Sequence, residues 1–242
     1  MNVMYTCDDN YVWLMGISTI SLFENNKTIE DLQVYLLGDN ISQENKDKLK
    51  KIGDQYGRKI QVIEIPPFTI PTALISARWP LAAFTRLFSG EILPVDVDKI
   101  LYLDCDTIVS GDISELEKVS FNGNIVMGVK DCISRTYKKN IGLDNNSLYI
   151  NAGVLLLDVT ELRKININKK IDEYMQQYVE FINYADQDIL NGVFKNCIGE
   201  LSPKFNVMTL NVVHTYAQME QLRRPTNYYN YKEWEEAKNN PA

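Results

Sequence analysis

The sequence predicts an α/β protein with a mostly parallel central sheet flanked by helices. Three observations carry that expectation. Short apolar strands alternate with helical stretches from Val3 to Ile65, the pattern of β-α-β units with right-handed crossovers. Lys99 to Gly111, KILYLDCDTIVSG, is an apolar strand that stops abruptly at Asp104-Cys105-Asp106. A second strongly apolar strand, Tyr149 to Leu157, begins with the small and polar residues Asn151-Ala152-Gly153, which allow a ligand or backbone to come close.

Taken in order, Val3 to Thr6 is a strand ending in Cys7-Asp8-Asp9-Asn10-Tyr11. The stretch through Trp13, Ile17, Ile20, Ser21 and Phe23 follows helical spacing and is expected as a buried helix. The acids before it are either a ligand site at a strand's carboxyl end or a helix N-cap made by Asp9 or Asn10. Gln33 to Leu37 is the second strand. Ser42 caps a lysine-rich helix from Gln43 to about Tyr56, with Asn45 at the reciprocal position and Leu49 and Ile52 inward. Lys59 to Ile65 alternates as a third strand and stops at Pro66-Pro67. Pro71 to Pro80 is irregular. Leu81 to Leu87 is helical, with Arg86 its one charge, which calls either for a core ion pair or for a reach toward a bound anion and the acids near it.

In the central strand, residues two apart share a face, so Asp104 and Asp106 point together and Cys105 away. Two converging carboxylates repel and lose hydration, and a hard divalent cation such as Mg2+ or Mn2+ relieves both costs. The plainer reading is a pair of solvated loop acids. Gly111 to Leu116 is a turn and short helix, and Ile125 to Val129 a strand ending at Lys130-Asp131. Ile171 to Tyr178 is helical. Asp186-Gln187-Asp188 opens a helix through Phe194, with Asp186 a good N-cap. Tyr228, Tyr229, Tyr231 and Trp234 form an aromatic cluster with little interleaved basic charge, a packed subdomain rather than a nucleic-acid platform.

Composition narrows the function classes. The 242 residues, 45% hydrophobic and 24% charged, are enough for one large α/β domain or two small ones, with a sizeable core. A formal charge of −7 argues against broad nucleic-acid binding, so a polyanionic ligand would need a metal or local Arg and Lys. No apolar run is long enough to span a membrane, and no export signal opens the chain. The four cysteines, Cys7, Cys105, Cys132 and Cys197, form no CxxC and are expected as free thiols in the cytoplasm. The single histidine, His214, excludes a multi-His zinc site.

Five blocks occur together and in order: DDNY (Asp8 to Tyr11), TRL around Arg86, LYLDCD (Leu101 to Asp106), NAGVLLL (Asn151 to Leu157) and DQDILN (Asp186 to Asn191). In them the chain resembles, over roughly residues 1 to 210, the family 8 retaining glycosyltransferases, which include bacterial lipopolysaccharide galactosyl- and glucosyltransferases and the glycogenins. The resemblance implies a GT-A fold in a single domain, with a donor-binding half at about 1–110 and an acceptor half at about 111–242. It implies a UDP-sugar donor, a glycan or glycolipid acceptor, and Mn2+ or Mg2+ on the diphosphate. Asp104 and Asp106 match the family's metal-binding DxD. Thr6, Asp8 and Asn10 match the uridine loop, with Asp8 placed to accept from the uracil N–H. Arg86 matches a donor contact, and Asp131, Asn151 with Ala152, and Asp186 match residues that hold the sugar. Gln187 matches the residue beneath the anomeric carbon, and with Asp186 it makes up the expected catalytic pair. A cytoplasmic protein, or one peripheral at the inner membrane face, follows from the same likeness.

The family's third metal ligand is a His in a C-terminal HxxGxxKPW-like segment, which has no counterpart up to Ala242. His214, in NVVHTYAQ, does not match it. The expectation is that the chain is cut short of that segment or that water completes the coordination. That departure keeps open a nucleotide-sugar-binding protein without transfer activity. LYLDCDTIV also resembles the DxDxT motif of haloacid-dehalogenase-type phosphatases, in which Asp104 would be the nucleophile and Asp106 the acid. That motif normally opens its fold near the N-terminus.

Overall fold

The computed structural model describes residues 1–66 and 81–242; the irregular stretch expected over Pro71 to Pro80 lies outside them. The described residues form strands β1 (Asn2–Asp8), β2 (Gln33–Asp39), β3 (Ile60–Glu64), β4 (Lys99–Leu103), β5 (Val126–Lys130), β6 (Ile150–Asp158) and β7 (Ile198–Glu200). Their helices are α1 (Val12–Asn25), α2 (Gln43–Tyr56), α3 (Leu81–Thr85), α4 (Ser89–Ile92), α5 (Arg135–Asn140) and α6 (Val159–Leu162), then α7 (Ile167–Tyr178), α8 (Ala185–Val193), α9 (Thr209–Val213), α10 (Tyr216–Arg223) and α11 (Tyr231–Asn239). This is the expected mixed α/β class, with a mostly parallel sheet.

The chain divides into two compact units, Met1–Ser120 with Leu156–Ile167, and Phe121–Leu155 with Asn168–Ala242. In the first, the strands run in the order β3-β2-β1-β4-β6, the last contributing its C-terminal end. β1 pairs parallel with β2 from Asn2↔Gln33 to Asp8↔Asp39, and with β4 at Val3↔Leu101 and Met4↔Tyr102. Val3, Met4, Tyr5, Ile100 and Leu101 are buried, as strands covered on both faces require. Each such side chain contributes about 1.5–3 kcal/mol by leaving water. Because β1 and β4 are parallel and in register, their carboxyl ends emerge at one edge. The segments after Asp8 and Leu103 therefore lie side by side.

Helix α1 forms where its spacing predicts; of the residues that set that spacing Phe23 is buried, but Trp13, Ile17 and Ile20 face outward. Val12, Met15, Gly16, Thr19, Leu22 and Phe23 are buried, whereas Trp13, Ile17 and Ile20 are 64%, 47% and 39% exposed. Both faces are apolar, so periodicity found the helix and left its rotation undetermined. α2 buries Leu49, keeps its lysines outward, and ends at Gly57 in the left-handed conformation (φ 63°).

In the second unit the strand order is β6-β5-β7, with β5 and β7 parallel. α7 starts at Ile167, one turn before the helix expected from Ile171, and α8 ends at Val193. The aromatic residues near the C-terminus do pack together: Trp234 and Tyr231 stack at 6.4 Å, and Trp234 joins Cys132 and Met219 in a buried cluster. The four cysteines are free thiols. No helix among the described residues is long and apolar enough to cross a membrane.

Candidate functional site

In the first unit, Asp8 ends β1 and caps the short 3-10 turn Asp9–Tyr11. Its Oδ1 accepts from the backbone N–H of Asn10 at 3.0 Å and of Tyr11 at 3.3 Å. The expected cap by Asp9 or Asn10 is thus made one residue earlier. Asp9 instead accepts from the Ser42 backbone N–H at 2.8 Å and the Asn45 amide at 2.8 Å. These bonds hold its carboxyl below the usual range. Asn45 is thereby drawn to Asp9, while the Ser42 hydroxyl caps α2 alone.

The acids after β4 are positioned by Tyr102 and Arg86. Tyr102 is buried, and its hydroxyl donates to Asp104 Oδ1 at 2.6 Å and lies 3.4 Å from the Thr6 hydroxyl. Burial pushes the Tyr102 phenol well above its ordinary range, so it stays a donor. Arg86 lies 4.1 Å over the Tyr102 ring, and its Nη1 is 2.9 Å from the same Asp104 oxygen. Its Nε donates to the Ala83 carbonyl at 2.9 Å. Arg86 thus reaches one of the acids at the end of β4, the second of the two readings the sequence allowed for it. Thr107 closes the following turn by donating its hydroxyl to the Asp104 carbonyl at 2.8 Å. Loss of hydration raises the Asp106 carboxyl, and the Asp104 charge adds to the rise. Thr6, Asp8, Arg86, Asp104 and Asp106 line one cleft of ≈190 Å³ with Cys7, Tyr11, Tyr102 and Cys105.

This donor set fits a hard divalent cation. Asp104 Oδ1 is held by Tyr102 and Arg86, and no described residue bonds its Oδ2. Burial and then the Asp104 charge both disfavour an ionised Asp106, and a cation would reverse that balance. Among the described residues, no group of three His, Cys, Asp or Glu side chains is arranged to hold a metal. Two carboxylates supplemented by phosphate and water oxygens are the usual surroundings of Mg2+ at a substrate diphosphate.

In the second unit, Asp131 follows β5, Asn151 and Ala152 lie near the start of β6, and Gln187 sits in the first turn of α8. Gln187 Oε1 accepts from the Ala152 backbone N–H at 3.0 Å and from Asn151 Nδ2 at 3.1 Å. Its Nε2 donates to Asp131 Oδ2 at 2.9 Å and to the Tyr149 hydroxyl at 3.1 Å. Asn151 Nδ2 also reaches Asp131 Oδ2 at 3.3 Å, and its Oδ1 accepts from Asn206 Nδ2 at 2.9 Å. Four of the expected residues are therefore joined in one hydrogen-bond network.

Asp186 is buried at the second position of α8, not at its cap; Tyr184 takes the cap position and its side chain makes no capping bond. Asp188 reaches back instead. It is completely buried, and its Oδ2 accepts from the Asn183 N–H at 2.9 Å, the Tyr184 N–H at 2.8 Å and the Tyr137 hydroxyl at 2.6 Å. Its Oδ1 accepts from the Tyr149 hydroxyl at 2.6 Å. A larger cleft of ≈710 Å³ in this unit, lined by Glu200, Lys204, Glu233 and Glu236 among others, holds none of the expected residues.

Sequence reasoning missed Tyr102, Tyr149 and Asn206 and gave Asp188 no role. Tyr102 and Tyr149 each stand two residues before an expected site residue, so strand alternation already put them on the site's face. Asn206 carries no local signal.

The family model described as Glycosyl transferase family 8 matches residues 2–237. General stress protein A of Bacillus subtilis (strain 168) is 25% identical over 100% of this chain and 83% of that protein. The lipopolysaccharide 1,2-glucosyltransferase of Escherichia coli (strain K12) is 28% identical over 96% of this chain and 67% of that protein. Among solved structures, the galactosyltransferase LgtC in complex with donor and acceptor sugar analogues matches with a TM-score of 0.79 and 28% identity. That match covers 95% of this chain and 84% of LgtC.

Proposed function

The chain belongs to glycosyl transferase family 8, and from that premise we propose that it is a metal-dependent retaining hexosyltransferase. It moves glucose or galactose from a UDP-sugar to a glycan or glycolipid acceptor. The likeness to a lipopolysaccharide glucosyltransferase and to a galactosyltransferase supports this substrate class. Family membership displaces the phosphatase reading of Asp104.

The first unit's cleft takes the nucleotide. Asp8 accepts the uracil N–H, with Thr6 and Asn10 beside it, and Tyr11, half exposed in the same cleft, offers a ring to the base. Asp104 Oδ2 and Asp106 would hold Mn2+ or Mg2+, whose chemistry there is to neutralise charge on the departing diphosphate. Arg86 fixes Asp104 and adds positive charge to the same edge. Asp131, Asn151, Ala152 and Asp186 hold sugar hydroxyls.

Retention is what the family likeness implies, and the second unit's bonding supports a route without a covalent intermediate. A retaining glycosidase offers a free carboxylate as nucleophile. Asp188 has four donors around it and no exposure. Gln187 is an amide, a poor nucleophile, with both ends bonded. On this reading the acceptor hydroxyl attacks on the face from which UDP leaves, and the leaving phosphate takes its proton. Four free thiols suit a cytoplasmic setting, where UDP-sugars are at hand.

The observation that carries the proposal is the Asp104–Asp106 pair at the end of β4, oriented by Tyr102 and Arg86. The experiment is a panel of UDP-sugars scored for Mn2+-dependent UDP release with and without glycan acceptors. UDP release from UDP-glucose or UDP-galactose supports it. Tight UDP binding with no turnover of any sugar would favour a binding protein instead.

A further inference from the structure

Gln187, in the first turn of α8, has a side-chain amide whose two chemically distinct ends are separately held. The Ala152 N–H can only donate, so the atom facing it is Oε1. At the other end, Nε2 must donate to the Asp131 carboxylate, an acceptor. The orientation is thus fixed by chemistry rather than by choice.

The Nε2 end has a second partner that leads away from the site. The Tyr149 hydroxyl accepts from Gln187 Nε2 at 3.1 Å and donates to Asp188 Oδ1 at 2.6 Å. Asp188 cannot turn, because its other oxygen receives two backbone N–H groups and the Tyr137 hydroxyl. Tyr149 is 1% exposed, so no water replaces its bonds without reorganisation. The chain of donors runs one way, from Gln187 through Tyr149 to Asp188.

We propose that Tyr149 and Asp188 are positioning residues: Asp188 orients the Tyr149 hydroxyl, and Tyr149 holds the Gln187 amide with its oxygen end toward Ala152. This rests on the reading that Gln187 serves the reacting sugar. An amide oxygen carries partial negative charge and its nitrogen end presents donors, so an amide displaced from this position no longer offers the cation-like sugar carbon the right edge.

The proposal makes a polarity prediction. In Asp188→Asn the side-chain oxygen stays with its three donors, and the new NH2 faces Tyr149. The Tyr149 hydroxyl then accepts from Asn, and its hydrogen turns toward Gln187. The Gln187 amide, still oriented by Ala152 and Asp131, then meets that hydrogen with its own NH2, donor to donor, and is pushed from its position. Tyr149→Phe removes the relay without changing ring packing. Tyr137→Phe is the control, since Tyr137 bonds the same Asp188 carboxylate at 2.6 Å.

The test combines steady-state sugar transfer, thermal melting, and NMR of the Gln187 side-chain NH2 in the full chain. Tyr149→Phe and Asp188→Asn are expected to shift the Gln187 NH2 resonances. They should lower kcat ~10–100-fold, as for a misplaced catalytic group, with donor KM within about 3-fold. Tyr137→Phe is expected to lower the melting temperature while leaving kcat and the Gln187 resonances near those of the parent. Equal kcat losses in Tyr137→Phe and Tyr149→Phe would mean a purely structural role and overturn the proposal. So would unmoved Gln187 resonances in a folded Tyr149→Phe or Asp188→Asn chain. The NMR readout needs no turnover, so a parent protein that transfers no sugar would sink the functional reading alone.

Discussion

At the scale of single residues, Asp104 is set before any ligand arrives. Tyr102 and Arg86 both hold its Oδ1, and the proposed cation would take Oδ2. Outer partners of this kind typically change metal affinity 10–100-fold when removed. Tyr102→Phe keeps the ring beneath Arg86 and deletes the hydroxyl. It is expected to weaken Mn2+ binding in the presence of UDP by about 10-fold, within that range. Electron paramagnetic resonance of free Mn2+ measures it, and unchanged affinity would show that the hydroxyl does not set Asp104. Asp106→Asn should weaken Mn2+ binding further, because it removes a charge as well as an oxygen donor.

A second residue-scale prediction concerns Lys138. It is 1% exposed and donates to the Ser147 carbonyl at 2.9 Å and the Thr226 carbonyl at 2.8 Å. Burial, with the Lys130 charge next, pushes its amine down to about 8. Between about pH 8 and the unfolded lysine value of about 10.4, the unfolded chain holds the proton and the folded chain does not. Stability from this group therefore rises with pH across that window, and is flat below it. Urea unfolding at pH 7.5 and 9.5 is expected to show that rise in the parent and not in Lys138→Met. A parallel rise in both proteins would assign it elsewhere.

At the scale of elements, strand ends and helix starts carry the candidate chemistry. β1 and β4 are parallel and in register, so Asp8 and Asp104 emerge at one edge. α8 carries Gln187 in its first turn and is held close to α7 at Gly192. A Cβ on Gly192 would run into the ring of Tyr174, which is buried and donates its hydroxyl to the Ile141 carbonyl. Gly192→Ala is expected to destabilise the fold by about 1–3 kcal/mol, the usual range for overpacking. Denaturant melts read the change; a neutral substitution would mean that α8 shifts without penalty.

At the scale of the whole molecule, the proposed reaction retains the anomeric configuration of the donor. NMR of the product formed from an α-linked UDP-sugar should show an α linkage. An inverted product would remove the argument built on Gln187 and Asp188, while leaving the nucleotide cleft as it stands.

The sequence by itself determined the class of fold, the parallel β-α-β-α-β start and the places where acids end strands, because these follow from local periodicity and two-residue alternation. Asp104 and Asp106, Asn151, and Gln187 were legible because each sits at a break in an apolar pattern. The tertiary structure decided which face of α1 is buried, that Arg86 pairs with Asp104, and that Asp188 rather than Asp186 gathers the N–H groups before α8. Those outcomes depend on partners far away in the chain. A residue's neighbours in sequence fix its backbone and direction, but the charge or donor it meets is supplied by packing. Asn206, 55 residues from Asn151, is the plainest case.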